Sequence, residues 1–284
     1  MKKSGRYLSP GQRSWMRFKS NRRGYVSLWL FGILFFISLL AEVIFNDKPL
    51  LVNYENEYYV PFLVEYPETT FGGDFETEAD YSDDYVRELI TRGDNWIIDP
   101  LIPFSYNTIN FGSDKPNPAA PSSQNLLGTD DRGRDVFARL VYGFRLSVLF
   151  AFALTALGVV IGIIMGAIQG YFSGKTDLFM QRIIEVWASM PELYLLIIFA
   201  SIFQPSIWLL LVLLSMFGWM GLSDYVRAEF LRGRNMDYVR SARAMGLTNL
   251  SIMRRHLLPN SMIPVVTFLP FRISGSILAL TSLD

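Results

Sequence analysis

The sequence predicts an all-α, polytopic membrane protein with a cytoplasmic N-terminus, five visible spans and a folded insert outside the cytoplasm after the first span. Three observations carry this. The chain is 51% hydrophobic, and its mean hydropathy is +0.25, above the usual soluble range. Its apolar residues gather into runs long enough to cross ~30 Å of hydrocarbon as helices. Its net charge of zero hides a strong segregation. Residues 1–24 carry Lys2, Lys3, Arg6, Arg13, Arg17, Lys19, Arg22 and Arg23 and no acid, while residues 46–127 carry fifteen acidic residues against Lys48, Arg87, Arg92 and Lys115. Residues 225–260 are basic again, through Arg227, Arg232, Arg234, Arg240, Arg243, Arg254 and Arg255. Basic, acidic and basic segments separated by apolar runs are a topology pattern. They are not a nucleic-acid footprint.

The tail, residues 1–24, is basic and stays in the cytoplasm by the positive-inside rule. The first span is Tyr25–Phe45, YVSLWLFGILFFISLLAEVIF. Its length and the lack of a small-x-small cleavage site after it favour a retained span over a signal peptide. Residues 46–135 form an insert outside the cytoplasm. It is acidic and rich in aromatic residues, which a disordered acidic tail would lack. Pro and Gly punctuate it, so the expectation is a compact, loop-rich fold. Asp114–Ser123, DKPNPAAPSS, reads as an extended Pro-rich strap.

Asn125–Asp135, NLLGTDDRGRD, closes the insert. Its acids lack the Gly and Glu positions of an EF-hand loop. Leu127, Gly128, Thr129, Asp130, Gly133, Arg134 and Asp135 have two readings. They form either an interface for a binding protein or a local structure that pairs internally and caps the next helix.

The core, 136–284, holds the remaining spans. Leu146–Tyr171 is the second, with Gly158, Gly162 and Gly166 on one face, a pattern that lets helices approach closely. Gln169–Thr176, QGYFSGKT, imitates a phosphate-binding loop but has Gln where the first Gly belongs, and no strand precedes it. This chain is therefore expected to bind no ATP itself. Asp177–Phe203 contains the third span, with a break or kink at Met190-Pro191. Ile207–Leu222 is the fourth. A fifth starts at Ser261, is interrupted by Pro264, Pro270 and Gly275, and ends with the sequence. Glu192 and Arg272 are charges inside spans, where an unpaired charge costs at least ~2.5–3.5 kcal/mol. They are candidates to line a translocation path and pair across it. Glu192 at a span boundary and Arg272 serving a partner subunit are the duller readings.

Between the fourth and fifth spans lies the loop 225–260, and within it Met236–Asn260, MDYVRSARAMGLTNLSIMRRHLLPN. It reads as two short helices with an elbow between them. Asn235 or Asp237 can cap the first. Tyr238, Val239, Ala242 and Met245 fall at helical spacing as one mostly apolar stripe. Gly246 stands where that helix should end in a left-handed residue. Thr248 or Asn249 can cap the second helix, and Pro259 stops it. Alone this would pass for a DNA-binding helix-turn-helix. The flanking apolar runs decide against that.

The stretch resembles the EAA loop of bacterial ABC importer permeases. Ser241 and Ala242 stand at the two Ala positions, Gly246 at the Gly, and Leu258-Pro259 at the Leu-Pro; the spacing is kept in full. Arg240 replaces the Glu and His256 the Ile. Arg-His-Leu-Leu-Pro-Asn is similar to the dipeptide/oligopeptide branch, and so is Leu-Gly-Thr-Asp followed by Gly-Arg-Asp before the second span. The size and acidity of the insert resemble the Yej-type permeases for microcin C and peptides. The resemblance implies a MetI-like permease fold in the bacterial inner membrane, with a sixth span, so the sequence looks truncated at its C-terminus. It implies ATPase coupling through Arg240, Ser241, Ala242, Met245, Gly246, Leu258 and Pro259. Its implied partners are a second permease subunit, two ATP-binding cassette domains, a periplasmic substrate-binding protein, the lipid bilayer and a peptide substrate. No cofactor is bound by this chain; ATP and Mg are used by the cassette partners.

Three other classes compete. A secondary transporter or channel with a broken-helix site at Pro191 and Pro264–Pro270 is the first, but its spans are nearly clean of ionisable groups. A membrane enzyme is the second. With no cysteine and His256 as the sole histidine, thiol catalysis, a His-based triad and a metal site have almost no material. A bare structural anchor is the third, and it leaves the elbow without a purpose.

Overall fold

Residues 9–110 and 116–283 are described in the computed structural model of the chain. Lys2, Lys3 and Arg6 of the basic tail, and Asp114 and Lys115 of the strap, lie outside the described residues. Two units divide the chain, Met1–Leu146 and Ser147–Asp284.

In the first unit, helix α1 (Pro10–Ser20) opens on a capping box: the Ser9 hydroxyl accepts from the Gln12 amide and the Gln12 side chain from the Ser9 amide. The tail is thus helical, which its charge had obscured. Asn21 ends α1 and caps α2 (Arg22–Leu39), its carboxamide oxygen accepting from Gly24 at 3.3 Å. The membrane helix therefore starts at Arg22 and stops at Leu40, earlier at both ends than the apolar run suggested. A four-residue helix, α3 (Ala41–Ile44), follows. It is pinned by side chains: the Tyr142 hydroxyl lies 2.6 Å from the Phe45 carbonyl and 2.9 Å from Glu42, and Arg145 pairs with Glu42 at 2.9 Å.

The insert is folded around a sheet, which corrects the all-α reading for this part of the chain. Strands β1 (Leu51–Tyr54), β2 (Glu57–Tyr59) and β3 (Trp96–Ile98) are antiparallel in the order β2-β1-β3, with Val52 opposite Tyr59 and Ile97. Glu55 and Asn56 close the β1–β2 hairpin at φ 50° and 63°, as a two-residue turn of this hand requires. Beneath the sheet a helix, α4 (Asp84–Ile90), supplies Val86 and Ile90 to the core. Phe71 is fully buried, with Tyr54, Tyr59, Tyr66 and Tyr81 around it at centroid distances of 5.6, 5.4, 6.4 and 6.0 Å. Phe71, Tyr81 and their tyrosine neighbours form this core, while Tyr58, Phe75, Tyr85 and Trp96 stay exposed.

Helix α5 (Val136–Phe172) begins at Val136 rather than Leu146. At 1.5 Å per residue it is about 56 Å long, well beyond the hydrocarbon thickness. In the second unit α6 (Gly174–Ala188) and α7 (Glu192–Ile202) form a pair bent by 68° around Met190 and Pro191. Helix α8 (Ile207–Gly218) passes through Trp219 into α9 (Met220–Gly233), so the apolar helix continues past Leu222 to Gly233. The last helix, α12 (Leu258–Leu283), stays unbroken through Pro264 and Pro270, contrary to the expected interruptions. By length and composition four helices among the described residues can cross a membrane, or five if the bent pair is one span.

Four glycines of α5, not three, face the α8–α9 segment: Gly158, Gly162, Gly166 and Gly170. A Cβ on Gly162 would stand 3.0 Å from the Trp219 carbonyl; on Gly166, 2.9 Å from Val226 Cβ; on Gly170, 2.5 Å from Phe230 Cβ. The helices meet backbone to side chain with no room for a methyl group. Gly158 leaves room for the Arg272 guanidinium.

Gly170→Val should therefore force α5 and α9 apart and lower the thermal midpoint of the detergent-solubilised protein by a cost of about 1–3 kcal/mol, the range for overpacking. Gly143→Ala, on the same helix with open space around it, should hold or raise it, since Ala is the better helix former by about 1 kcal/mol. Equal effects from the two substitutions would refute the close approach.

Candidate functional site

The elbow is built from α10 (Asp237–Ala244), α11 (Asn249–Ile252) and a π-helical turn, Met253–Leu257, that runs into α12. Met236 occupies the N-cap position of α10 without a side-chain bond, so neither Asn235 nor Asp237 caps it. Asp237 sits in the first turn, where its charge suits the helix dipole. The far end is a Schellman closure: Gly246 N–H bonds to the Arg243 carbonyl at 3.0 Å and Leu247 N–H to the Ala242 carbonyl at 3.2 Å, with Gly246 at φ 81°. Thr248 caps α11 by accepting from the Ser251 amide at 3.3 Å.

Pro259 does not stop this helix. In an α-helix its ring would strike the carbonyl of Arg255. The π turn widens the backbone before it, with the Leu258 amide bonded five residues back to Met253. The chain thus enters α12 without a break.

One edge of the expected α10 stripe is core and the other is open. Val239 and Ala242 are buried with Ile252 and Leu257 against Val226 and Phe230 of α9. Tyr238 and Met245 face outward, Met245 at 72% and Leu250 of α11 at 73% exposure. Of the seven residues singled out in the loop, Arg240, Ser241, Met245, Gly246 and Pro259 are exposed, Leu258 is half-buried and Ala242 packs inward.

The elbow is fastened to the end of α5. The buried Tyr171 donates its hydroxyl to Asn249 at 2.7 Å, and its carbonyl accepts from Arg234 at 3.1 Å. Arg243 lies over its ring, 5.9 Å from the centroid. Two residues earlier Gln169, 0% exposed, donates to Ser223 at 3.1 Å and accepts from Gln181 at 2.8 Å. Asp177 and Arg227 form a two-point ion pair at 2.5 and 2.7 Å. Sequence reasoning missed this anchor. Its signal was there: Gln169 and Tyr171 are the polar residues that end α5, inside the segment that only imitates a phosphate loop.

The turn before α5 is a self-contained structure. Asp135 caps α5 through the Ala138 amide at 2.7 Å and accepts from Asn125 at 2.9 Å. Thr129 bridges Asn117 and the Ala119 amide. Gly128 receives the first amide of α5, Val136, on its carbonyl, and Gly133 sits at φ 82°. Asp130 takes the amides of Arg132 and Arg134, the Arg134 guanidinium and Arg139. Burial alone would raise its pKa; the hydrogen bonds from Arg134 and Arg132 and the Arg134 charge outweigh this and hold it at about 2, below the ordinary 3.8. Leu127 points outward.

Arg272 does not pair with Glu192. Its guanidinium donates to the Gly218 carbonyl, freed where α8 gives way to α9, and its Nε is buried without a partner. The indoles of Trp187 and Trp219 take the neighbouring Met216 carbonyl, at 3.1 and 2.8 Å. Trp187 of α6, Arg272 of α12 and Trp219 at the joint itself thus satisfy this break in the membrane helix. Glu192 stands half-buried in the first turn of α7, and no ion pair joins it to Arg272.

Two family models match the chain. The binding-protein-dependent transport system inner membrane component matches residues 158–284, and the N-terminal TM domain of oligopeptide transport permease C matches residues 9–69. The inner membrane ABC transporter permease protein YejE of Escherichia coli is 51% identical over 278 residues, 98% of this chain and 81% of that protein. The peptidoglycan transport system permease protein YejE of Agrobacterium fabrum is 49% identical over 297 residues, 96% and 77% of the two chains. The dipeptide transport system permease protein DppC of Bacillus subtilis is 34% identical over 159 residues, 56% of this chain and 50% of that one.

Two outcomes test these sites. Tyr171→Phe removes the hydroxyl bond to Asn249 and keeps the ring. It should cost about 1 kcal/mol locally and speed hydrogen exchange at the Leu247 and Ile252 amides about fivefold; unchanged protection would show that Tyr171 does not hold the elbow. Asp130 has a depressed pKa, so its contribution is complete above pH 3.8 and fades as pH falls toward 2. Exchange at the Arg134 amide should accelerate across that window, and in Asp130→Asn it should be fast throughout and independent of pH there, after correction for intrinsic rates.

Proposed function

Because the chain belongs to the family of inner-membrane permeases of binding-protein-dependent ABC transporters, we propose that its elbow is the coupling element of a peptide importer. The protein is a multi-pass component of the bacterial inner membrane and a non-catalytic subunit. Energy comes from ATP and Mg on two cassette partners. A second permease completes the path, and a periplasmic binding protein delivers the substrate.

The observation that carries the coupling role is the contrast within the elbow. Val239, Ala242, Ile252 and Leu257 lock it to the membrane helices, while Met245 and Leu250 stand out in solvent beside Arg240 and Arg254. Exposed apolar side chains on a fixed frame suit a groove in a soluble partner. Closure of the cassettes would then move the attached helices as rigid bodies. The charge pattern supports a cytoplasmic tail and elbow, with the insert of residues 46–135 on the periplasmic side facing the binding protein. Glu192 is proposed to face the path, and Arg272, whose guanidinium is held by the Gly218 carbonyl, is proposed to border it without pairing to Glu192. The cargo class is peptides or peptide-like compounds, which embraces microcin C-like compounds and the peptidoglycan-derived cargo implied by the name of the Agrobacterium relative.

Gly246→Val is the test. The glycine is exposed, with open space around it and φ 81°, so a side chain there strains only the turn, at about 1–2 kcal/mol. The variant should insert and assemble with its partners, yet hydrolyse ATP without driving uptake in proteoliposomes. Normal uptake would remove the coupling assignment.

A further inference from the structure

The N-terminal helix α1 carries a feature that neither the elbow nor the path uses. Arg13, Arg17 and Lys19 on α1, with Arg22 and Arg23 just after it, are all exposed, and none forms an ion pair with a described residue. The helix contains no acid. Trp15 and Met16 are nevertheless 48% and 56% exposed. Trp15 and Phe18 share one face with Gly11, and Arg13 and Arg17 lie opposite, by helical spacing.

Only Asn21 separates α1 from the membrane helix α2. That single pivot keeps the C-terminal end of α1 beside the start of α2. Aromatic rings fasten it there. Trp15 stacks on Phe18 at 5.7 Å, both meet the edge of Tyr25 at 6.5 and 6.3 Å, and Tyr25 meets Trp29 at 6.3 Å. Lys19 sits over the Trp15 ring at 5.7 Å. Tryptophan and tyrosine favour the headgroup level, with their rings in apolar surroundings and their polar atoms wet. A helix with a narrow apolar face, a basic remainder and no acid is of the kind that lies in a lipid interface.

We propose that α1 lies in the headgroup layer of the membrane and that Arg13, Arg17 and Lys19 bind anionic phospholipid there. Trp15 and Phe18 enter the boundary with the acyl chains, while the guanidinium and ammonium groups reach the phosphates. The inference rests on α1 and α2 alone and stands apart from the coupling role of the elbow.

The chain has no cysteine, so Gly11→Cys, on the face of Trp15 and Phe18 with open space around it, gives one site for a nitroxide label. The labelled full chain is placed in nanodiscs of phosphatidylcholine alone or with phosphatidylglycerol. With the anionic lipid, the label should be shielded from a water-soluble nickel relaxant and open to oxygen. Phosphatidylcholine alone should reduce that shielding. Replacing Arg13, Arg17 and Lys19 by Gln should lower the ratio of embedded to exposed label about a hundredfold in the anionic discs, given the attraction of each basic residue to an anionic surface. A label equally exposed in both lipids, or a triple variant as shielded as the parent, overturns the proposal.

Discussion

The constraint on which the second unit depends is the approach of α5 to α9. Gly162, Gly166 and Gly170 bring the two helices so close that α9 backbone and Cβ atoms fill the space a methyl group would need. In a lipid solvent there is little hydrophobic drive between apolar helices, so packing and hydrogen bonds must supply the affinity. Both are found on this seam. The glycines set the distance, and Gln169 with Ser223 and Asp177 with Arg227 fix the register. A slip of one turn would strand the buried Gln169 amide, at the full desolvation cost of an unmet polar group.

That register is what carries the elbow. Tyr171 lies two residues beyond Gln169 and reaches Asn249, Arg234 and Arg243 only while α5 and α9 keep their places. Phe230 of α9 packs against the same face of α5 and meets the elbow residues in one core. The elbow therefore has no freedom of its own relative to these helices. On the proposed coupling role, a push on Met245 or Leu250 would be delivered to α5, α9 and, through the unbroken π turn, to α12. The breaks in the helical course lie elsewhere, at the 68° bend between α6 and α7 and at the α8–α9 joint.

Some of this was legible in the residues. Gly246 could be read because few other residues take a left-handed C′ position cheaply, and Thr248 because a cap needs a short hydroxyl side chain at a helix start. The Gly158–Gly166 spacing announced close packing, though Gly170 was hidden at the edge of a failed motif. Pro259 misled because its rule assumes an α-helix before it, and a π turn evades that clash. The insert's sheet left little trace: its strands are three or four residues long, too short to show a period of two. Tyr171 showed only as a polar residue at the end of an apolar run, and its role stayed hidden, since a tyrosine at a membrane boundary ordinarily needs only lipid headgroups. What singles it out is a partner more than seventy residues away.

The same logic explains why two conspicuous charges went astray. Glu192 and Arg272 invite pairing because each would be costly alone in a span. An arginine, however, needs acceptors before it needs a countercharge, and its flat fork suits a carbonyl as well as a carboxylate. The α8–α9 joint frees the Gly218 carbonyl at membrane depth, and Gly158 clears the space in front of it. Arg272 solves the joint's problem, and the joint satisfies part of Arg272. Where a helix discontinuity and a lone cation fall at the same depth, backbone carbonyls compete with any carboxylate for that cation. They are near it by construction, whereas an acid on another helix must be brought there.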